Sequence, residues 1–594
     1  IHKNKEVVFF YNMSNRPATS PSWKEYSFTG QADKDADTVV LGGFLMGKGS
    51  LLVDHVRLSV KEGNEWKDIP LENGSFEKKD SSNNDWHYNQ RLAGYHYATE
   101  TTDVQDGSRA LAITSTQDAG HPSDEPNAQP LYDHYPRPGE YVQPILVPGI
   151  SCTVPLALYG DKEHTWPMGD TNALALLKRR IQVAHPTTVN GDTLAVRLGG
   201  VIITWNVFRH FFAYWEDASA TPDQLLEKGL TKAATDKNRY DFLQTLRLMT
   251  APLNDGHINI FLQGDTIRQG YAPLVFAVAE GRLVIDKVLD SSLRPALAPG
   301  DVVSVINGQP AGSYLAGLDQ YASGSPQLKV FRDLINLTVG PRDSLLTLGV
   351  VRADGAHNIK VERTMEWQAW NHAKSNRPSG WIKPGIFFID IDRDPMDSIN
   401  KWMPQLAKAK AIICDLRGYP NGNDGLIRHF LDKEEDTKWM FVPKITYPDY
   451  QHVTYNSGGW HLTPDSPHLQ AKVFFLTDGS AISYAESYMG FIKDLHLATV
   501  VGQPTAGTNG NVNPFYLPGG FRVSFTGMLV KDHNGGKHHL KGIVPDVPVE
   551  RTIKGIREGK DEFLEKAIRL AEEKNDGQAP NKLPLSSVKK STPN

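Results

Sequence analysis

Val473-Phe474-Phe475-Leu476-Thr477-Asp478-Gly479-Ser480-Ala481-Ile482-Ser483-Tyr484-Ala485-Glu486 is the stretch on which the reading of this chain turns. Four apolar residues in a row make a buried strand. Thr-Asp-Gly-Ser is turn chemistry, and a helix follows from about Ser480 to Leu495. A serine on such a turn stands at the end of a sheet. The first amides of the helix carry partial positive charge toward any oxyanion that develops beside it. The alternative is a serine that merely caps the helix.

Working outward, residues 366–575 alternate strand and helix. Ile386-Phe387-Phe388-Ile389, Ala411-Ile412-Ile413-Cys414-Asp415-Leu416 and Ala498-Thr499-Val500-Val501 are strands. Helices are expected from Ile399 to Leu406 and from Asp561 to Glu573, the latter with Phe563, Leu564, Ala567 and Ile568 on one face. Strands alternating with helices imply an α/β domain. Cys414-Asp415-Leu416-Arg417-Gly418-Tyr419-Pro420-Asn421-Gly422 ends one strand in a glycine-rich loop, where backbone amides can approach a ligand closely. A third stretch, Leu253-Asn254-Asp255-Gly256-His257, follows a helical block. A lone histidine there is more often structural than chemical.

The rest of the chain is organised in blocks. Residues 1–158 carry short alternating strands separated by Gly, Asn and Asp, the pattern of a β-sandwich of jelly-roll type. Residues 159–264 carry apolar residues at helical spacing. Residues 265–365 return to strands, where Pro299-Gly300-Asp301 makes a turn, Val302 to Ile306 a strand, and Asn307-Gly308 a tight hairpin. That segment resembles a PDZ domain, which binds an extended peptide at a sheet edge. Residues 576–594 are rich in Pro, Ser and Lys and are expected to be disordered.

Composition bounds the function. Of 594 residues, 63 are Lys or Arg and 68 Asp or Glu, a formal charge of −5, which lacks the basic footprint of a nucleic-acid binder. A chain this long exceeds one hydrophobic core, since single cores stop growing near ~250–300 residues. No apolar run approaches the ~18 residues of a membrane span. Two cysteines, Cys152 and Cys414, exclude a disulfide scaffold and a cysteine-rich zinc module.

Taken together, the Asp-Leu-Arg-Gly strand end, Ser483 with Glu486 three residues on, Gly502-Gln503-Pro504-Thr505-Ala506-Gly507-Thr508 and Gly542-Ile543-Val544-Pro545-Asp546 resemble family S41 of the serine peptidases. That family includes C-terminal processing and tricorn-type proteases. The resemblance spans roughly residues 165 to 573. It implies a multidomain α+β chain whose catalytic domain is of the ClpP/crotonase-like α/β type, with the PDZ-like unit inserted before it. It implies hydrolysis of peptides or unfolded proteins through an acyl-enzyme on Ser483, without a cofactor. It also implies a bacterial, extracytoplasmic enzyme, periplasmic or surface-associated; the chain begins at Ile1, as after removal of a signal peptide.

Processing proteases pair the serine with a lysine about two dozen residues later. Here the sole lysine between Ser483 and Val530 is Lys493, in the helix. Tricorn-type enzymes use a histidine, and His257 matches its place, so His257 is the implied general base. Gly418, Tyr419 and Tyr484 are the implied backbone oxyanion donors. The group orienting His257 is open: Asp255, Glu486, Asp532 or a backbone carbonyl. Where tricorn-type enzymes carry an acid, this chain reads Lys537-His538-His539.

No metal site is expected. Adjacent His538 and His539 on a strand would face opposite ways, and Asp33, Asp35 and Asp37 lack the rest of a calcium loop. Trp23, Trp86, Tyr88, Tyr95 and Tyr97 are a glycan platform or, more simply, packing. The alternative from another class is a ligand-binding protein on the S41 fold, as in interphotoreceptor retinoid-binding proteins.

Overall fold

The architecture is that of a computed structural model. It describes residues 22–29, 49–77, 95–115 and 136–573, apart from short breaks (445–452 being the longest of the last span) and a few residues nearer the N-terminus. Two compact units divide the chain, residues 1–130 and 131–594.

In the first unit, Ala110–Ser115 runs between Gly49–Val53 and Tyr95–Glu100 in an antiparallel sheet, and Leu58–Glu62 pairs with Glu65–Ile69. Carboxylates tie its loops: Asp54 Oδ2 accepts the amides of Gln105 (2.9 Å) and Asp106 (2.8 Å), and Glu77 Oε1 those of Ser108 (2.7 Å) and Arg109 (2.9 Å). The described strands make a three-stranded sheet and two two-stranded ladders (His2–Lys3 pairs with Glu6–Val7), and do not by themselves establish a jelly roll. The Trp23 indole donates to Asp103 (2.6 Å), and Tyr95 and Tyr97 lie on one strand. Asp33, Asp35, Asp37, Trp86, Tyr88 and the 576–594 tail fall outside the described residues. Residues 141–155, grouped with the first block in sequence, form two-stranded ladders within the second unit's span, and Tyr159–Gly160, in the block read as helical, pairs with Thr165–Trp166.

The second unit is built on a six-stranded sheet in the order Gly380–Lys383, Ile386–Asp390, Ala411–Asp415, Lys472–Thr477, Thr499–Gly502, Val547–Pro548. The first pair is antiparallel and the others parallel, with Cys414 opposite Phe475 and Leu476 opposite Val501. Such strands are apolar throughout because both faces are covered. Phe387, Ile389, Ile412, Cys414 and Phe475 pack toward Met396–Leu406 and Tyr484–Asp494. Phe388, Ile413, Phe474 and Leu476 pack toward Glu562–Glu572, with Phe563, Leu564 and Ala567 buried. The three helices expected here lie within a few residues of their bounds, whereas Trp367–Ala373, Gly425–Arg428 and Ile553–Arg557 were not anticipated.

The helical block forms Thr171–Ala184, Leu194–Phe211, Pro222–Thr235 and Arg239–Thr250. Phe208, Phe212, Phe242 and Leu246 close a core with Phe521, Val523 and Phe525. That brings the block against a second sheet, ordered Asn259–Leu262, Phe521–Thr526, Val512–Leu517. Between them in sequence lies an antiparallel β unit, Leu274–Ala279 to Gly355–Glu362, with helices Ala311–Asp319 and Pro326–Thr338. Its expected hairpin is present: Ile306 faces Gln309, and Asn307 and Gly308 both take positive φ (47° and 82°).

Candidate active site

Ser483 sits between the strand Lys472–Thr477 and the helix Tyr484–Asp494, at the helix N-cap, with φ 60° and ψ −113°. A serine held at positive φ costs roughly 1–3 kcal/mol and persists when its surroundings enforce it. Here they do. Its amide donates to the Thr508 carbonyl (2.9 Å), and its own carbonyl accepts from Glu486 N (2.8 Å) and Ser487 N (2.9 Å). The hydroxyl makes no capping bond. The plain N-cap reading therefore does not describe this serine; its backbone is fixed while its Oγ is left to other work.

His257 stands in a distant part of the sequence, on a loop that Thr508 ties to Ser483. Asn259 pairs with Ser524 and Leu262 with Phe521, so continuing the register two positions sets His257 opposite Thr526. The ring is buried, and its Nδ1 lies 2.8 Å from Thr526 Oγ1. Asp255 Oδ1 takes the Thr526 hydroxyl (2.6 Å) and the His257 amide (2.9 Å), and Oδ2 takes the Thr526 amide (2.7 Å). Among the described residues, none offers the buried His257 Nε2 a hydrogen bond. Burial holds the imidazole below its ordinary pKa, against the pull of Asp255 and Glu486 in the other direction. Burial thus favours the neutral ring. No Ser483–His257 hydrogen bond is formed in this conformation; such bonds are commonly loose without substrate and tighten with it.

Thr508 joins the two loops. Its carbonyl holds the Ser483 amide, and its hydroxyl accepts the Gly256 amide at 3.1 Å. Glu486 in turn holds Thr508: its carboxylate accepts Thr505 Oγ1 (2.5 Å), Gly507 N (2.7 Å) and Thr508 N (2.8 Å), with His538 Nε2 at 3.4 Å. Burial alone would raise this carboxyl; His538 and the donors bring it below the ordinary carboxylate value. Glu486 is therefore engaged with the 505–508 loop and His538 rather than with the His257 ring.

The other expected residues separate. Tyr484 N, in the first turn, and Gly418 N carry no hydrogen bond to another described residue. The Tyr419 amide is already given to Asp392 Oδ1 (3.1 Å), so it is not a spare donor in this conformation. Asp392 also packs on Gly418, where a Cβ would fall 2.7 Å from its carboxyl. Asp532 closes its own turn, accepting Gly536 N (2.6 Å) and Asn534 N (3.1 Å), and is not brought to His257. Lys493 pairs with Asp546, which also accepts Val500 N (2.8 Å). His538 turns to Glu486, whereas His539 stacks on Tyr214 at 3.8 Å. Among the described residues no group of three or more His, Cys, Asp or Glu gathers as a metal site, and no helix is long and apolar enough to cross a membrane.

Residues 388–549 match the model of peptidase family S41. The chain carries a family S41 peptidase domain. It is accordingly a hydrolase of the serine-peptidase type. The S41 motifs now have physical roles: Arg417 spans Asp415 (2.5 Å) and Asp561 (2.7 Å), tying the strand end to the last helix. A search among curated proteins returns no match. Among solved structures, mature CPAF is similar over 65% of this chain and 99% of its own, at 16% identity and a TM-score of 0.53. Mature CPAF complexed with lactacystin is similar over 64% and 98%, at 14% and 0.52. At these identities the likeness is one of fold.

Thr508 lies in one of the quoted motifs, though its role was not read from it; three further residues at this S41 site, Thr526, Asp392 and Arg332, carry no signal in the sequence. Thr526 and Asp392 act through contacts with distant chain. Arg332, from the helix Pro326–Thr338, donates to the Gly256 carbonyl and to Ser323 O (3.2 Å).

Proposed function

We propose that this chain hydrolyses peptide bonds through an acyl-enzyme on Ser483, with His257 as general base, acting on short or unfolded peptides. The observation that carries the reading is Thr508, which binds the backbone of Ser483 and of Gly256 at once and so locks nucleophile and base loops together. In this mechanism His257 Nε2 takes the Ser483 proton as Oγ attacks the carbonyl, and returns it to the leaving amine. The Gly418 and Tyr484 amides receive the oxyanion. The β unit of residues 265–365 is taken as PDZ-like, presenting a sheet edge to the substrate chain, and the enzyme is placed outside the cytoplasm, as the family resemblance implies.

The test is labelling by a fluorophosphonate probe. Wild type is expected to label, and Ser483→Ala and His257→Ala are not. Lactacystin, present in one of the CPAF structures, is expected to block labelling. Labelling that survives in His257→Ala would remove it as the base. A wild type that never labels would favour the ligand-binding alternative.

A further inference from the structure

Among the described residues, no carboxylate is bonded directly to the His257 ring. What touches Nδ1 is a hydroxyl, Thr526 Oγ1, and behind it stands Asp255. The protons in this chain of contacts can be counted. Both Asp255 oxygens accept backbone amides, Oδ1 from His257 and Oδ2 from Thr526. A carboxylate so placed has only acceptor capacity toward the Thr526 hydroxyl. The single hydroxyl proton therefore goes to Oδ1, at 2.6 Å. What Thr526 then offers His257 is a lone pair, so the bond at 2.8 Å is donated by Nδ1–H. The neutral imidazole carries its proton on Nδ1 and its lone pair on Nε2, the nitrogen a general base needs.

We propose that Thr526 is the positioning residue of this enzyme, carrying the charge of Asp255 to His257 and setting its tautomer in place of a directly bonded acid. The proposal rests on His257 being the base. When His257 accepts the Ser483 proton on Nε2, the Nδ1 proton stays where it is. The imidazolium is stabilised because Thr526 Oγ1 is polarised by its own bond to Asp255. No proton passes to Asp255. The arrangement is economical in sequence: the acid lies two residues before the base, and its backbone contacts fix both. The hydroxyl comes from the facing strand, whose register places it.

Three variants test this by their rate of fluorophosphonate labelling, which reads nucleophilicity without a known substrate. Thr526→Ser keeps the hydroxyl and should label within about threefold of wild type. Thr526→Val has nearly the same volume but no hydroxyl and should label about 100-fold more slowly. This is a smaller loss than the ~10⁴-fold that a wrong tautomer costs in a serine protease triad. Asp255→Asn should also be slow, because it removes the charge that polarises the Thr526 hydroxyl and sets an amide NH2 against a backbone N–H that the carboxylate had accepted. Wild-type speed in a folded Thr526→Val overturns the relay. Absence of labelling in wild type, or full labelling in His257→Ala, overturns the underlying mechanism instead. If Thr526→Val does not fold, ring-nitrogen NMR shifts of His257 in the wild-type chain, assigned by their loss in His257→Ala, decide the matter. Protonated Nδ1 supports the relay, and protonated Nε2 refutes it.

Discussion

Ser483 and Thr508 are joined amide to carbonyl at 2.9 Å, while the Thr508 hydroxyl, on the other side of the same residue, holds Gly256 beside His257. One threonine therefore sets the distance between two parts of the chain that sequence keeps far apart. Thr508→Val retains the carbonyl and loses the hydroxyl. It leaves the buried Gly256 amide unpaired, at a cost of about 1–3 kcal/mol. We expect a lower melting temperature and labelling of Ser483 slowed by about tenfold, both restored in Thr508→Ser.

Glu486 is the buried anchor of the 505–508 loop. Glu486→Gln replaces one acceptor oxygen by a donor facing donors, and should cost about 3 kcal/mol, the scale for breaking a buried charged network. Its folded pKa lies below the ordinary 4.5. Its contribution is therefore complete above that value and lost as pH falls through the folded pKa. Acid melts of wild type and Glu486→Gln should converge below pH 4.5, and parallel curves would contradict the assignment.

For His257 the shift has the same sign, but it favours the neutral form rather than the charged one. Burial lowers its pKa from 6.5, with Asp255 and Glu486 opposing and Arg332 assisting. The neutral, active form is therefore kept to lower pH than for a free histidine. The acid limb of a labelling-rate profile should have its midpoint below 6.5. A midpoint above it would mean that the two carboxylates outweigh burial.

Gly418 has an ordinary backbone, yet a Cβ there would fall 2.7 Å from the Asp392 carboxyl. Gly418→Ala should displace Asp392 and the loop that carries the Tyr419 amide, reducing kcat on an unfolded protein substrate by roughly 10–100-fold. Asp392→Ala in the same chain removes the clash and should recover part of the loss, a coupling that a double-mutant cycle measures.

The local parts of this site were legible before any fold was known. Strand, turn and helix around Ser483 are written in consecutive residues, as is the Asn307-Gly308 hairpin, because neighbour-to-neighbour sterics decide them. The Asp415–Arg417 pair is local too. What sequence could not show was anything set by strand register. Thr526 meets His257 across 269 positions, through a pairing that a one-residue slip would abolish. Asp532 and Glu486 had suitable chemistry as orienting acids, but each is occupied by nearby backbone amides, a matter of loop geometry rather than residue type. Tyr419 was expected to lend its amide; only the folded turn brings Asp392 there to take it.

The helix Pro326–Thr338 and the turn leading into it grip both loops of the site: Ser325 donates to Ala506 O (2.5 Å), Gln327 to Thr505 O (2.9 Å), and Arg332 to Gly256 O, while Ser323 accepts the Asp255 amide (2.8 Å). The inserted β unit is consequently a structural creditor of the reaction centre. Excision of the module, whether in a laboratory truncation or over the history of the gene, would strip hydrogen bonds from the segments that carry His257 and Thr508.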